Sequence, residues 1–239
     1  MRRSVEIDHR IAYRYDQPVA LSEQTIRLCP SVMVKDYSLS VLPATMAIKW
    51  FTLARGWMAV TTPAESTTEF SVRSRFIAEV DDSAPHGVGS LMDVCREVHS
   101  RVAYIDRPEP RVQDPEETLE LRTGSCRDIA WLLVKVLRGL DKNARFVSGY
   151  YVNPEVNAAE LHAWVEVSWN DRWLGVDPTL CCPVGKMHIP LISARSPSGA
   201  TPIAGGVTPE TGCELSWEIA CRELEPCAQV DERVRIHHP

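Results

Sequence analysis

Hydrophobic and polar residues alternate strictly from Val5 to Tyr15. Val5, Ile7, His9, Ile11, Tyr13 and Tyr15 fall on one side; Glu6, Asp8, Arg10, Ala12 and Arg14 fall on the other. A period of two predicts a half-buried β-strand. Tyr37 to Val41 alternates in the same way until Pro43 ends it, and Phe70, Val72, Ser74, Phe76, Ala78 and Val80 repeat the pattern with Arg73, Arg75 and Glu79 turned outward. One apolar and one polar face predict an antiparallel sheet packed on one side, so residues 1–82 are expected to form an all-β, sandwich-like unit.

The period changes after the turn-rich stretch from Asp81 to Gly87. Leu91, Val94, Cys95, Val98 and Val102 recur at three- and four-residue steps, the mark of one apolar helix face. A polar, proline-containing stretch runs from Asp106 to Asp114. A second helix is expected from about Ser125 to Leu140, apolar over most of its girth and therefore central to a domain. Three strand-like runs follow, Phe146 to Val152, Leu161 to Trp169 and Trp173 to Asp177, with Asn170-Asp-Arg172 as a hairpin turn between the last two. His188 to Thr211, rich in Pro, Gly and Ser, reads as a long loop, and Leu215, Trp217, Ile219 and Cys221 alternate again. The expected organisation is a β unit over 1–82, a second unit over 83–212, a returning strand over 213–224 and a loose tail over 225–239. The fold class is α+β.

Composition narrows the function. With 44% hydrophobic and 24% charged residues the chain is an ordinary globular protein, and a net charge of -6 gives no clustered cationic surface for nucleic acid or anionic membrane. No apolar run follows the basic residues at the start, and the longest apolar run, Ile129 to Leu137, is interrupted by Lys135. A cytoplasmic location is therefore expected, in which the eight cysteines are mostly thiols. No C-x-x-C pair occurs, so a metal site built from Cys181, Cys182, His188 and a later cysteine lacks the usual spacing.

One cysteine stands apart. In Gly124-Ser-Cys-Arg-Asp128, Ser125 and Asp128 fit a capping box, which places Cys126 in the first turn of the central helix. Unpaired N–H groups and the helix dipole favour negative charge there, and the thiolate is the nucleophilic form of cysteine. A thiolate nucleophile needs a partner base and a group to orient that base. His162 lies near the start of one predicted strand and Asp177 at the end of the next, so an antiparallel hairpin would bring them together at one sheet edge. Asp128 is the other nearby carboxylate, but two residues from the cysteine on the same turn it is better placed to cap the helix. His99 and His188 have no comparable context and read as structural. Trp164, on the same strand face as His162, is placed to wall the site.

These segments resemble the three motifs of the transglutaminase-like superfamily: Gly124-Ser-Cys-Arg-Asp128, Leu161-His-Ala-Trp164 and Trp173-Leu-Gly-Val-Asp-Pro-Thr179. Asp114-Pro-Glu-Glu-Thr-Leu119 and Ala144-Arg-Phe-Val-Ser-Gly-Tyr150 extend the resemblance. Tyr13-Arg-Tyr-Asp-Gln-Pro-Val19 and Gln24-Thr-Ile-Arg-Leu28 look like the N-terminal β region of the bacterial proteins described as transglutaminase-like enzymes or cysteine proteases. The likeness covers about residues 88–206 and, more thinly, 5–42 and 66–80. It departs after Asp-Pro-Thr179, where Leu-Cys-Cys-Pro183 replaces a small residue and Gly, and between Pro43 and Thr67, where no Asp-x-x-Gly-Asn turn is present.

The resemblance implies a papain-like core, with the cysteine-bearing helix packed on an antiparallel sheet, and a catalytic set of Cys126, His162 and Asp177. The expected chemistry is acyl transfer or hydrolysis at a peptide or carboxamide carbonyl through a thioester, with no metal or organic cofactor. The substrate would be a peptide, a protein or a small amide. The oxyanion would rest on the backbone N–H of Cys126, with Gln113 or Tyr104 as second donor. The rival expectation is a non-catalytic binding module that keeps the fold and engages a partner through its β unit and the His188 to Thr211 loop.

Overall fold

The computed structural model describes residues 2–43, 47–81, 83 and 87–225; the tail beyond 225, with Cys227, and most of the turn at 82–86 lie outside the described residues. Strand β1 (Arg3–Leu21) opens the chain, followed by β2 (Gln24–Ile26), β3 (Lys35–Leu42), β4 (Lys49–Leu53), β5 (Gly56–Thr61) and β6 (Thr67–Val80). Val5, Ile7, His9 and Ile11 of β1 are buried, and so are Phe70, Val72, Ser74, Phe76, Ala78 and Val80 of β6. The two strands run antiparallel with Ile7 opposite Phe76 and Ile11 opposite Val72, so the apolar positions of both meet on one face. Arg73 and Arg75 stay on the outer face, where they pair with Asp8 and Glu6.

Helix α1 (Gly89–Arg101) buries Leu91, Met92, Cys95 and Val98. It is followed by β7 (Ala103–Tyr104), α2 (Pro115–Leu121), β8 (Thr123–Gly124) and α3 (Cys126–Gly139). Helix α2 was not visible as a period because seven residues give too little repeat. Its signals are local instead: Asp114 as N-cap, Pro115 in the first turn, Glu117 completing a capping box, and Arg122 at φ 55 closing the end.

Strands dominate the described residues that follow: β9 (Ala144–Asn153), β10 (Ala158–Trp169), β11 (Arg172–Asp177), β12 (Cys182–Pro183), β13 (His188–Ala194), β14 (Ile203–Ala204), β15 (Val207–Thr208) and β16 (Cys213–Leu224). The loop expected over His188 to Thr211 is therefore replaced by three strands and a 3-10 turn at Pro197–Ala200. Pro190 is compatible with β13 because the register against β9 shifts between Pro190 and Ile192, so the missing N–H falls at an irregularity.

Two sheets organise the fold. One holds β15, β1, β6 and β3, with β16 lying along β1 from Tyr15↔Cys213 to Ser4↔Leu224. The other runs β12-β11-β10-β9-β13-β5-β2-β14, with β4 beside β5. Between the sheets lies an apolar core of Val5, Ile7, Phe70, Phe76, Tyr150 and Leu191 among others. A second core forms where α1 and α3 pack on the larger sheet, through Leu91, Ile129, Leu133, Leu137, Phe146 and Val165. The architecture is α+β, a helix packed on an antiparallel sheet with a β-sandwich beside it. No helix among the described residues is long and apolar enough to cross a membrane.

Candidate active site

Cys126 is the first residue of α3, and the reason lies in Asp128. Its carboxylate, fully buried, accepts the Ser125 N–H at 2.8 Å, the Ser125 hydroxyl at 2.7 Å, the Gln113 N–H at 2.8 Å and Arg107 Nη1 at 2.7 Å. Ser125 and Asp128 form the reciprocal capping box, which starts the helix at Cys126. Burial is the largest influence on Asp128 and favours its neutral form, but the donors outweigh it and keep the group below the ordinary carboxylate range. Gly124 is required by this arrangement: a Cβ there would stand 2.9 Å from Asp128 Cβ and 3.2 Å from Gln113 Oε1. The close approach is thus to the capping side chains.

The hairpin of β10 and β11 turns through Asn170 and Asp171, both left-handed at φ 49 and 59, as a two-residue primed turn demands. Its register, with Val165 opposite Val176, carries Asp177 back toward His162. His162 Nε2 lies 2.8 Å from Asp177 Oδ2, with both side chains essentially out of solvent. That hydrogen bond places the Nε2–H toward the acid and leaves Nδ1 for the cysteine side. Asp177 Oδ1 accepts the N–H groups of Thr179 at 2.8 Å and Leu180 at 3.0 Å. On the neighbouring helix, Cys95 Sγ lies 3.5 Å from the Asp177 carbonyl and His99 Nδ1 is 2.9 Å from that of Pro178, which ties the end of β11 to α1.

Burial is the largest influence on His162 and favours the neutral ring. The hydrogen bond to Asp177 and the contact with Cys126 together overcome it and push His162 up to about 10. Asp177 shows the converse: burial favours the acid, but His162, His188 and the Leu180 N–H hold it well below the ordinary carboxylate range. Both directions favour a charged His162–Asp177 pair. Burial, with Asp177 and Cys181, pushes Cys182 up to about 11, and burial pushes Cys95 up to about 12, so neither offers a thiolate near neutral pH.

His188, read as structural from sequence, instead reaches the same acid: its Nε2 lies 3.1 Å from Asp177 Oδ2. It was hidden because its segment looked like a loop; the apolar run Ile189-Pro-Leu-Ile192 after it was the available signal. Asp177, Cys182 and His188 bring one ligating atom each within 4.8 Å of one another. This set overlaps the metal site considered from sequence, but the His188 and Asp177 atoms already bond each other. Tyr104, opposite Gly124 in the β7–β8 pair, is half-exposed, and its hydroxyl is pushed up chiefly by burial. Gln113 is buried, and its Oε1 accepts the Thr118 hydroxyl at 3.1 Å. Glu160, exposed, puts Oε1 3.7 Å from His162 Nδ1.

Comparison with known proteins agrees with this architecture. Residues 74–178 match the model of the transglutaminase-like superfamily core, and residues 5–79 match that of the bacterial transglutaminase-like N-terminal region. A solved structure named "Putative Cysteine Protease from Cytophaga hutchinsonii" superposes with a TM-score of 0.70 at 17% identity, covering 96% of this chain and 93% of that one. An uncharacterized protein of Mycobacterium leprae is 26% identical over 123 residues, a match spanning 48% of this chain and 43% of that relative. The matched segment is thus less than half the length of that curated relative. The two family matches overlap and together run from Val5 in β1 through Pro178, so this stretch matches the transglutaminase-like superfamily core with the bacterial transglutaminase-like N-terminal region in front of it.

Proposed function

We propose that the protein is a cysteine-dependent hydrolase or acyltransferase acting on a peptide or carboxamide carbonyl, with Cys126 as nucleophile, His162 as acid and base, and Asp177 as the group that orients His162. The observation carrying this reading is the buried His162–Asp177 hydrogen bond of 2.8 Å beside a cysteine at a helix start. In the first half, the Cys126 thiolate adds to the carbonyl carbon, and the charge on oxygen is met by the Cys126 backbone N–H with Tyr104 or Gln113 beside it. The C–N bond then breaks as His162 Nδ1 gives its proton to the leaving nitrogen, producing a thioester. In the second half, water gives a proton to His162 as its oxygen attacks the thioester. The C–S bond breaks, and a carboxylic acid and the thiolate result.

Transfer to an amine is the second reading, and Glu160 favours it. An exposed carboxylate 3.7 Å from the reactive imidazole nitrogen would attract a cationic amine where the acceptor must stand. Against a purely binding role stands the cost of burying a charged acid unless its partners are needed.

Native protein treated with iodoacetamide near neutral pH should label Cys126 well before the other cysteines. Equal labelling of all thiols would remove the catalytic reading. Intact-mass measurement after incubation with peptide libraries, with and without added amine, should then trap an acyl group on Cys126 and reveal its acceptor.

A further inference from the structure

Every acceptor position of Asp177 is occupied. Thr179 and Leu180 N–H groups fill Oδ1, and two imidazoles, His162 at 2.8 Å and His188 at 3.1 Å, share Oδ2. The two rings are not equivalent. His188 Nδ1 accepts the Gly185 N–H at 3.4 Å, which places the His188 proton on Nε2 and makes that nitrogen the donor to the acid. The ring is clamped edge-on against Trp164 at 5.2 Å and tilted against Tyr151 at 5.1 Å, and only 6% of the residue is exposed. It arrives on β13, on the far side of β9 from the strand that carries His162. The ring centroids of the two histidines are 6.3 Å apart, so they meet at the carboxylate.

We infer that His188 is a positioning residue for this site: it fixes the rotation of the Asp177 carboxylate so that Oδ2 faces His162, and so keeps His162 Nδ1 aimed at Cys126. This rests on the triad proposed above. The terminal torsion of an aspartate is broad, so its oxygens are held only by their partners. Without His188, one lone pair of a buried anion loses its donor. The space left by the ring would admit water as a competing partner for Asp177, and His162 would lose its fixed orientation.

The test compares His188→Ala, His188→Gln and His188→Asn with the wild type in the full chain, reading the iodoacetamide rate at Cys126 by peptide mass. His188→Ala should lower that rate by about tenfold or more, the effect of losing a hydrogen bond to a charged group. His188→Gln places an amide N–H where Nε2 stands and should restore the rate to within about threefold. His188→Asn is too short to reach Asp177 and should remain slow. Melting of each variant is followed in parallel, and rates are compared only below it. If His188→Ala fails to fold, the contrast between His188→Gln and His188→Asn carries the test. A wild-type rate in folded His188→Ala, or equal rates in the Gln and Asn variants, would overturn the inference while leaving the triad intact. A wild-type Cys126 no faster than the other thiols would instead remove the triad reading, and this inference with it.

Discussion

Gly149 lies directly beneath the indole of Trp164: a methyl group added to the glycine would overlap the outer edge of that ring and the carbonyl oxygen of Ile189. Gly149 is also the residue paired with His162 on β10 and with Pro190 on β13. The strands carrying the two histidines therefore meet at a position that tolerates no side chain.

Gly149→Ala should consequently destabilise the protein by about 1–3 kcal/mol, the range for overpacking a filled interior. Urea unfolding measures this, and an unchanged midpoint with unchanged slope would show that Trp164 can move aside freely. Because Trp164 also clamps His188, the variant should label more slowly at Cys126 even where it is folded.

Asp177→Asn should retain the fold and lose turnover. An amide in place of the carboxylate presents an N–H to His162 or forces the other ring tautomer, and Nδ1 is no longer the nitrogen that moves the proton. The loss should approach about 10⁴ in kcat, as when the orienting acid of a triad is replaced by its amide. Stopped assays on any substrate found by acyl trapping would measure it; a loss below tenfold would argue that His162 is oriented by other contacts.

Two buried histidines should titrate in opposite directions. His162 rises from 6.5 to about 10, so it should stay protonated through neutral pH, and its stabilising contribution should be complete below pH 6.5 and fall away as pH rises through about 10. His9, bonded at Nδ1 to the Tyr150 hydroxyl at 2.8 Å, falls from 6.5 to about 4 because burial outweighs the nearby Asp8. Its contribution should be complete above pH 6.5 and be lost as pH falls through about 4, amounting to about 3 kcal/mol. Histidine ring signals followed by NMR from pH 3 to 10 separate the two, and titration of both near 6.5 would contradict the buried geometry.

Asp128→Ala should be among the most damaging single changes. It takes from the nearly buried Arg107 guanidinium its nearer carboxylate, leaving Glu109 at 3.6 Å, and removes the acceptor of the Ser125 and Gln113 N–H groups. Breaking a buried pair in this way costs about 3–5 kcal/mol. The start of α3 should fray, with a corresponding loss of selectivity for Cys126 over other thiols. Wild-type selectivity in a folded Asp128→Ala protein would show that the capping box does not set the position of the thiol.

Much of this is legible in the sequence. The alternation of β1 and β6, the span of α3 and the hairpin joining β10 to β11 all follow from period and turn chemistry, because each of these elements is long or has one wet face. The capping role of Asp128 followed from spacing alone. What could not be read was short or concealed by punctuation. Helix α2 has too few residues for a repeat, β4 and β5 lie in a stretch of mixed pattern, and Pro190 disguised β13 as loop. His188 reads as structural from sequence for that last reason: its contact with Asp177 is made by register across β9, and no local pattern encodes that.

The pairing of β16 along nearly the whole of β1 has a consequence for how the molecule is made. The inner edge of β1 is satisfied early by β6, but its other edge is taken by residues that leave the ribosome some two hundred positions later. Until then, a strand twelve pairs long stands open to any extended segment nearby, the situation in which nascent chains join one another. Strand β16 works as a clasp, and a chain cut before Cys213 would be expected to keep its site residues yet aggregate on synthesis.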